Sequence, residues 1–105
     1  MMRAFYVSAW NNGNPNNFTG AGYGIRIPIK IRNTVFKKEW DYVILKLDNK
    51  VIKVNISPSF WRGCSELRSK EIGKWLLKHK LAPWKNNPPK IKMIHEAENI
   101  FKLQV

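Results

Sequence analysis

The sequence predicts a mainly β fold, a small open barrel or pseudobarrel of six to seven strands with one helix before the last two strands. Three observations lead to this prediction. Residues 25–32 alternate isoleucine with Arg, Lys or Pro, residues 42–56 read as a β-hairpin, and residues 69–80 carry a helical period. Short strands of this kind favour a nearly closed sheet, because closure removes free edges that would pair with other chains.

The first part of the chain predicts two strands separated by a long loop. Arg3 to Trp10 is an aromatic and β-branched run that ends at an Asn-Asn-Gly turn, which indicates a strand. Asn11 to Gly24 contains five Asn and four Gly, so it reads as a connection without regular structure. Residues 25–32 then form a strand whose isoleucines face the core, and Pro28 indicates an edge or a bulge.

A short connection at residues 33–40 follows, and one helical turn in it would carry Val35, Phe36 and Trp40 inward. The alternating patterns beyond it predict four more strands, at residues 42–47, 50–56, 90–95 and 100–105. The first two of these strands form a hairpin, because only an Asp-Asn pair separates them.

One helix is predicted before the last two strands. Ser69 can cap this helix, and Ile72, Trp75 and Leu76 recur on one face of it before the pattern ends near residue 80. Residues 59–68, which precede the helix, hold several aromatic and basic side chains without a clean period. That segment therefore reads as irregular.

The composition indicates one folded domain over residues 1–105 with a large positive charge. The chain has 19 Lys and Arg against 7 Asp and Glu, a formal net charge of +12, and no acid occurs before Glu39. Self-repulsion of this size destabilises a compact chain unless a polyanion offsets it, so a nucleic acid is the expected partner. A single cysteine, no signal peptide and no long apolar stretch predict an intracellular protein that does not bind membranes.

Enzymatic chemistry is not expected. Cys64 would need a base, but His79 and His95 lie on the predicted helix and a late strand, so the thiol reads as a buried or half-buried small hydrophobe. One Cys and two scattered His have no zinc-site spacing, so no metal and no other cofactor is expected. The Gly20–Gly24 run leads into a strand rather than a helix, which argues against a nucleotide site.

Two segments could form arms that read DNA. The first is the Asn-rich loop with the basic strand after it, since Asn amides can pair with adenine, although Asn is also a common turn residue. The second is residues 59–70, where Arg can pair with guanine or phosphate and Trp61 is either a core residue or a stacking platform. The expected phosphate contacts are Arg26, Lys30, Arg62, Lys70 and Lys74. The expected base-reading side chains are Asn12, Asn14, Asn16, Arg62 and Arg68.

Four features from residue 23 to the C-terminus carry a family resemblance. They are Ile27-Pro28, the hairpin, Ile72-Gly73-Lys74-Trp75-Leu76 at the helix, and Phe101-Lys102-Leu103 in the last strand. In this order they resemble the B3-type DNA-binding pseudobarrel of plant transcription factors, a fold similar to the recognition domain of certain bacterial restriction endonucleases. The chain departs from that family in its long Asn/Gly loop and in residues 83–89, where a short acidic turn is expected.

The resemblance implies non-enzymatic binding of double-stranded DNA by two arms that grip the major groove, Asn11–Arg26 on the first and Trp61–Lys70 on the second. Three alternatives stay open. An RNA-binding barrel of the pseudouridine-synthase-associated (PUA-like) type would stack unpaired bases on Tyr23 or Trp61. A small nuclease would use Asp48-Asn49-Lys50 with magnesium, although seven acids leave few metal ligands. A protein-interaction module would merely tolerate the charge.

Overall fold

The computed structural model describes residues 2–105 and contains seven strands and three helices within that range. The strands are β1 (Arg3–Asn11), β2 (Tyr23–Arg26), β3 (Tyr42–Leu47), β4 (Lys50–Asn55), β5 (Glu66–Arg68), β6 (Lys90–Ala97) and β7 (Ile100–Gln104). The helices are α1 (Ile29–Val35), α2 (Ser59–Arg62) and α3 (Lys70–Lys78). The predicted fold class is confirmed, and two short helices accompany the expected one.

All seven strands form one sheet in the order β4-β3-β7-β6-β1-β2-β5. Neighbouring strands are antiparallel except β3 and β7, which run parallel. The two outermost strands of this order, β4 and β5, contact each other, so the sheet curves into a nearly closed barrel. None of the helices in residues 2–105 has the length and apolar character that crossing a bilayer requires.

One apolar cluster fills the barrel. Alternate residues of the strands point into it, and Val7, Ile25 and Leu45 are fully buried there. Phe36 and Phe101 stack within it, with ring centroids 4.9 Å apart and ring planes 11° from parallel. This packing makes the barrel a rigid support for the polar side chains on its outer face.

Helix α3 confirms the predicted helix. The Ser69 Oγ accepts a hydrogen bond from the Glu71 backbone N–H at 3.1 Å, which caps the first turn. Ile72, Trp75 and Leu76 are buried, as their spacing predicts. The predicted first strand, the hairpin and the last two strands are also confirmed, each within two residues at both ends.

The predicted strand over residues 25–32 is wrong beyond its first residues. Strand β2 ends at Arg26, and helix α1 begins directly after Pro28. Proline has no N–H for a strand ladder, and its φ of −56° suits a helix start, where the Pro28 carbonyl accepts from the Arg32 N–H at 2.9 Å. As a result Ile27 is buried, whereas Ile29 is 55% exposed.

The connection after the isoleucine run is shorter than predicted, because α1 already occupies residues 29–35. The prediction that three residues of this segment face inward is confirmed. Val35 and Phe36 are buried, and the half-buried Trp40 packs against the core. Residues 59–68 are more regular than expected, since they contain α2 and the three-residue strand β5. A strand of three residues is too short to show a period of two.

Candidate nucleic-acid interface

The β2–β5 pair places two arginines around one buried acid. Arg26 lies opposite Glu66 in the ladder, and Arg68 lies two residues further along β5, on the same outer face. The Glu66 carboxylate is only 1% exposed and accepts from Arg26 Nε and from Arg68 Nη2, each at 3.1 Å. The two arginine side chains are 54% and 58% exposed. The acid therefore orients both guanidinium groups while their remaining N–H donors face outward.

Trp10 joins this group from the neighbouring strand. It pairs with Gly24 in the β1–β2 ladder, and Gly24 pairs with Arg68 in the β2–β5 ladder. Since Gly24 has no side chain, the Arg68 guanidinium reaches over the Trp10 ring, with its Cζ 4.7 Å from the ring centroid. Trp10 is not among the side chains predicted from the sequence to contact DNA. The alternation of residues in β1 would have predicted its outward position, because Val7 and Ala9 are buried and Trp10 lies on the opposite face of the strand.

The asparagines of the long loop act first as turn residues. The Asn12 Oδ1 accepts from the Asn14 N–H at 2.9 Å, and the Asn16 Oδ1 accepts from the N–H groups of Phe18 and Thr19 at 2.8 and 2.9 Å. These contacts engage the single side-chain oxygen of Asn12 and of Asn16. The amide N–H₂ groups of Asn12 and Asn16, and the whole exposed side chain of Asn14, are the groups that could contact a base.

The loop is docked on helix α3 by a glycine pair. The backbones of Gly73 and Gly20 are in direct contact, which is possible because neither residue has a side chain. A Cβ atom added at Gly73 would lie 2.1 Å from the Gly20 carbonyl oxygen. This contact brings the loop next to the start of α3. A cavity of about 430 Å³ lies there, bordered by Trp10, Asn12, Arg68 and Lys70. Of the side chains predicted to contact DNA, this cavity brings together Asn12 from the first arm and Arg68 and Lys70 from the second.

The other predicted residues lie at two further places. Lys30 on α1 and Arg62 at the end of α2 are exposed beside the far end of β2, where the Ile27 N–H donates to the Ser65 carbonyl. Lys74 lies on the exposed side of α3 and pairs with Glu71 at 3.5 Å. A hydrogen bond from Lys50 lowers the pKa of Glu71, and the charge of Lys74 adds to this effect.

The two aromatic side chains considered for stacking are not open platforms. Trp61 is half-buried, with Phe60 edge-on to its ring and the Arg32 guanidinium 5.6 Å from its centroid. Tyr23 is 1% exposed, and burial raises the pKa of its hydroxyl. Cys64 was predicted to be buried or half-buried, and this prediction is wrong because the residue is exposed.

The Asp48-Asn49-Lys50 element forms the β3–β4 turn and is engaged in ion pairs. The Asp48 carboxylate lies 2.8 Å from the His79 Nε2 and 3.2 Å from the Lys78 Nζ, and the hydrogen bond with His79 is the main reason that its pKa is lowered to about 2. Within residues 2–105, no group of three His, Cys, Asp or Glu is arranged to hold a metal ion. Through these ion pairs the β3–β4 turn contacts the C-terminal end of α3.

We expect the change Asp48→Asn to lower the melting temperature near neutral pH, with the difference from wild type disappearing between about pH 4 and pH 2. The folded-state pKa lies below the usual value of 3.8, so the stabilisation is complete above that pH and is lost as the carboxylate protonates. Thermal unfolding from pH 7 to pH 2 measures this, with Asp41→Asn as the control at an exposed acid. A difference that stayed constant with pH would contradict the prediction.

Comparison with family models, with curated proteins and with solved structures finds no significant match to the chain.

Proposed function

We propose that this chain is a non-enzymatic DNA-binding domain of the B3-like type, which holds double-stranded DNA against the outer face of β1, β2 and β5. The observation that carries the proposal is the buried Glu66 carboxylate between Arg26 and Arg68. A guanidinium that is already oriented loses little side-chain freedom when it binds a guanine edge or a phosphate. The placement of Trp10 under Arg68 supports the same role, because the ring restricts that arginine further.

The positions of the two arms agree with this proposal. The Asn-rich loop precedes β2, and α2 with Arg62 lies beside the opposite end of that strand. Four strand residues span about 13 Å, and the major groove of DNA is about 12 Å wide. Both arms could therefore reach the edges of one major groove while Arg26 and Arg68 face it from the centre. In this arrangement Lys30, Lys70 and Lys74 supply phosphate contacts.

Fluorescence anisotropy with a labelled DNA duplex of random sequence, and with an RNA duplex of the same sequence, tests the proposal. If about six phosphates are neutralised, the affinity for DNA should fall roughly a thousandfold between 50 and 200 mM salt. Preference for DNA with this salt dependence supports the proposal. Preference for RNA would favour the PUA-like alternative, and no binding to either duplex would contradict nucleic-acid binding altogether. Cleavage that requires magnesium and is lost in Asp48→Ala would favour a nuclease instead.

A further inference from the structure

The segment after α3 is fixed against the barrel beside the proposed interface. The Ala9 N–H donates to the Pro89 carbonyl at 3.0 Å, which continues the pairing of β1 with the start of β6. Trp84 packs edge-on against Tyr23, with ring centroids 5.9 Å apart, and Tyr23 itself is buried. Residues 84–89 therefore form a wall next to β1, in the region where the chain departs from the B3 pattern.

A cleft of about 300 Å³ lies between this wall and the strands. It is bordered by two tryptophans, Trp10 and Trp84, and by Ser8, Asn11, Arg26 and Pro88. Its volume is at the low end of the range of small-ligand sites, about 300–1,000 Å³, which suits one planar group rather than a base pair. Aromatic side chains at the edge of a basic surface are the usual platforms on which unpaired bases stack.

The polar groups of the cleft are mostly donors. Arg26 contacts Glu66 through Nε, so the two Nη groups of its guanidinium are the donors left for a ligand. The Asn11 Oδ1 accepts from the Gly13 N–H at 2.8 Å, which favours a donor role for its amide nitrogen. The Ser8 Oγ already accepts from the Lys90 Nζ at 3.0 Å, which leaves its O–H free to donate. Such a cleft favours a base edge with two adjacent acceptors, and guanine presents O6 and N7 in this way.

We propose that the Trp10–Trp84 cleft binds one unpaired guanine base of the bound DNA. This inference rests on the proposed function, because Arg26 belongs to both the DNA-facing surface and the cleft. Extracting a paired base is unfavourable, whereas a base that is already unpaired needs no such step. The cleft should therefore distinguish an imperfect duplex from a perfect one.

The test compares three labelled duplexes that differ at one position: fully paired, with one unpaired guanine, and with one unpaired adenine. We expect the wild-type protein to bind the unpaired-guanine duplex about tenfold more tightly than the paired one, and more tightly than the unpaired-adenine one. The variant Trp84→Leu keeps an apolar contact with Tyr23 but has no aromatic face. It should lose the preference while its affinity for the paired duplex is unchanged, and Trp84→Phe should retain most of the preference.

The outcomes separate the two proposals. Equal affinity of the wild type for the three duplexes would overturn the cleft proposal and leave DNA binding intact. Binding of the unpaired-guanine duplex alone would support the cleft and overturn binding of paired DNA, and no binding to any duplex would overturn both. A preference for the unpaired-guanine duplex that persists in a folded Trp84→Leu protein would also overturn the cleft proposal. If that variant does not fold, the wild-type protein still tests the cleft through its tryptophan fluorescence. Stronger quenching by the unpaired-guanine duplex than by the paired one supports the cleft proposal, and equal quenching by the two duplexes overturns it.

Discussion

The change Gly73→Ala is expected to destabilise the protein by about 2 kcal/mol or more, which is roughly 10 °C in melting temperature. A methyl group at this position would lie 2.1 Å from the Gly20 carbonyl oxygen and 2.6 Å from its Cα. Both neighbours are backbone atoms, so no side chain can move aside. In an ordinary helix interior the same change stabilises by up to about 1 kcal/mol, so the expected sign is opposite to helix propensity.

Thermal and urea unfolding of the Gly73→Ala variant measure this effect. Lys70→Ala, an exposed change in the same helix, is the control and should alter stability by no more than about 0.5 kcal/mol. A Gly73→Ala protein as stable as wild type would mean that the loop does not dock on α3 at Gly20. Because Asn12 and Lys70 border one cavity through this docking, the variant should also bind DNA more weakly in its folded state.

The second large effect is expected from removing both oriented arginines. Arg26→Gln together with Arg68→Gln should weaken DNA binding about a hundredfold, since each arginine contact of this kind contributes roughly 1–3 kcal/mol and 1.4 kcal/mol is tenfold. Glutamine is chosen because it keeps an N–H₂ donor for Glu66, which is 1% exposed and would be costly to leave without a partner.

The control for this double variant removes two positive charges elsewhere. Lys46 on β3 and Lys102 on β7 lie opposite each other, and their strands are four and three positions from β2 in the sheet. Lys46→Gln with Lys102→Gln should change the affinity no more than about threefold, because screening limits the effect of distant charges. Equal losses in the two double variants would show that net charge, and not the Arg26–Glu66–Arg68 group, accounts for binding. Thermal unfolding checks that both variants are folded.

The elements that could be predicted from the sequence are those with a local signal. The β3–β4 hairpin has two alternating runs around a two-residue turn, and α3 has a capping serine followed by a helical period. The isoleucine run shows where such reasoning fails. Its alternation continues past Pro28, but a missing N–H and a fixed φ end the strand and start α1. One local constraint therefore overrides a pattern of eight residues.

The candidate site also contains residues that could be predicted from the sequence and residues that could not. Composition pointed to a polyanionic partner, and the basic and amide side chains of both predicted arms could be named from the sequence, although their roles stay predictions. Glu66 and Trp10 could not be selected in this way. Glu66 is one of seven acids, and only the pairing of β2 with the three-residue β5 shows that it lies between two arginines. The role of Trp84 depends likewise on its contact with Tyr23, 61 positions earlier in the chain.

The sequence by itself determined the fold class, the positive charge and most of the strands, because propensity, alternation and capping act over a few neighbouring residues. The tertiary structure alone decided the register of β1, β2 and β5, the docking of the loop through Gly20 and Gly73, and the cleft beside Trp84. These features depend on pairing between distant segments, and a shift of one residue in a strand would turn every side chain to the other face.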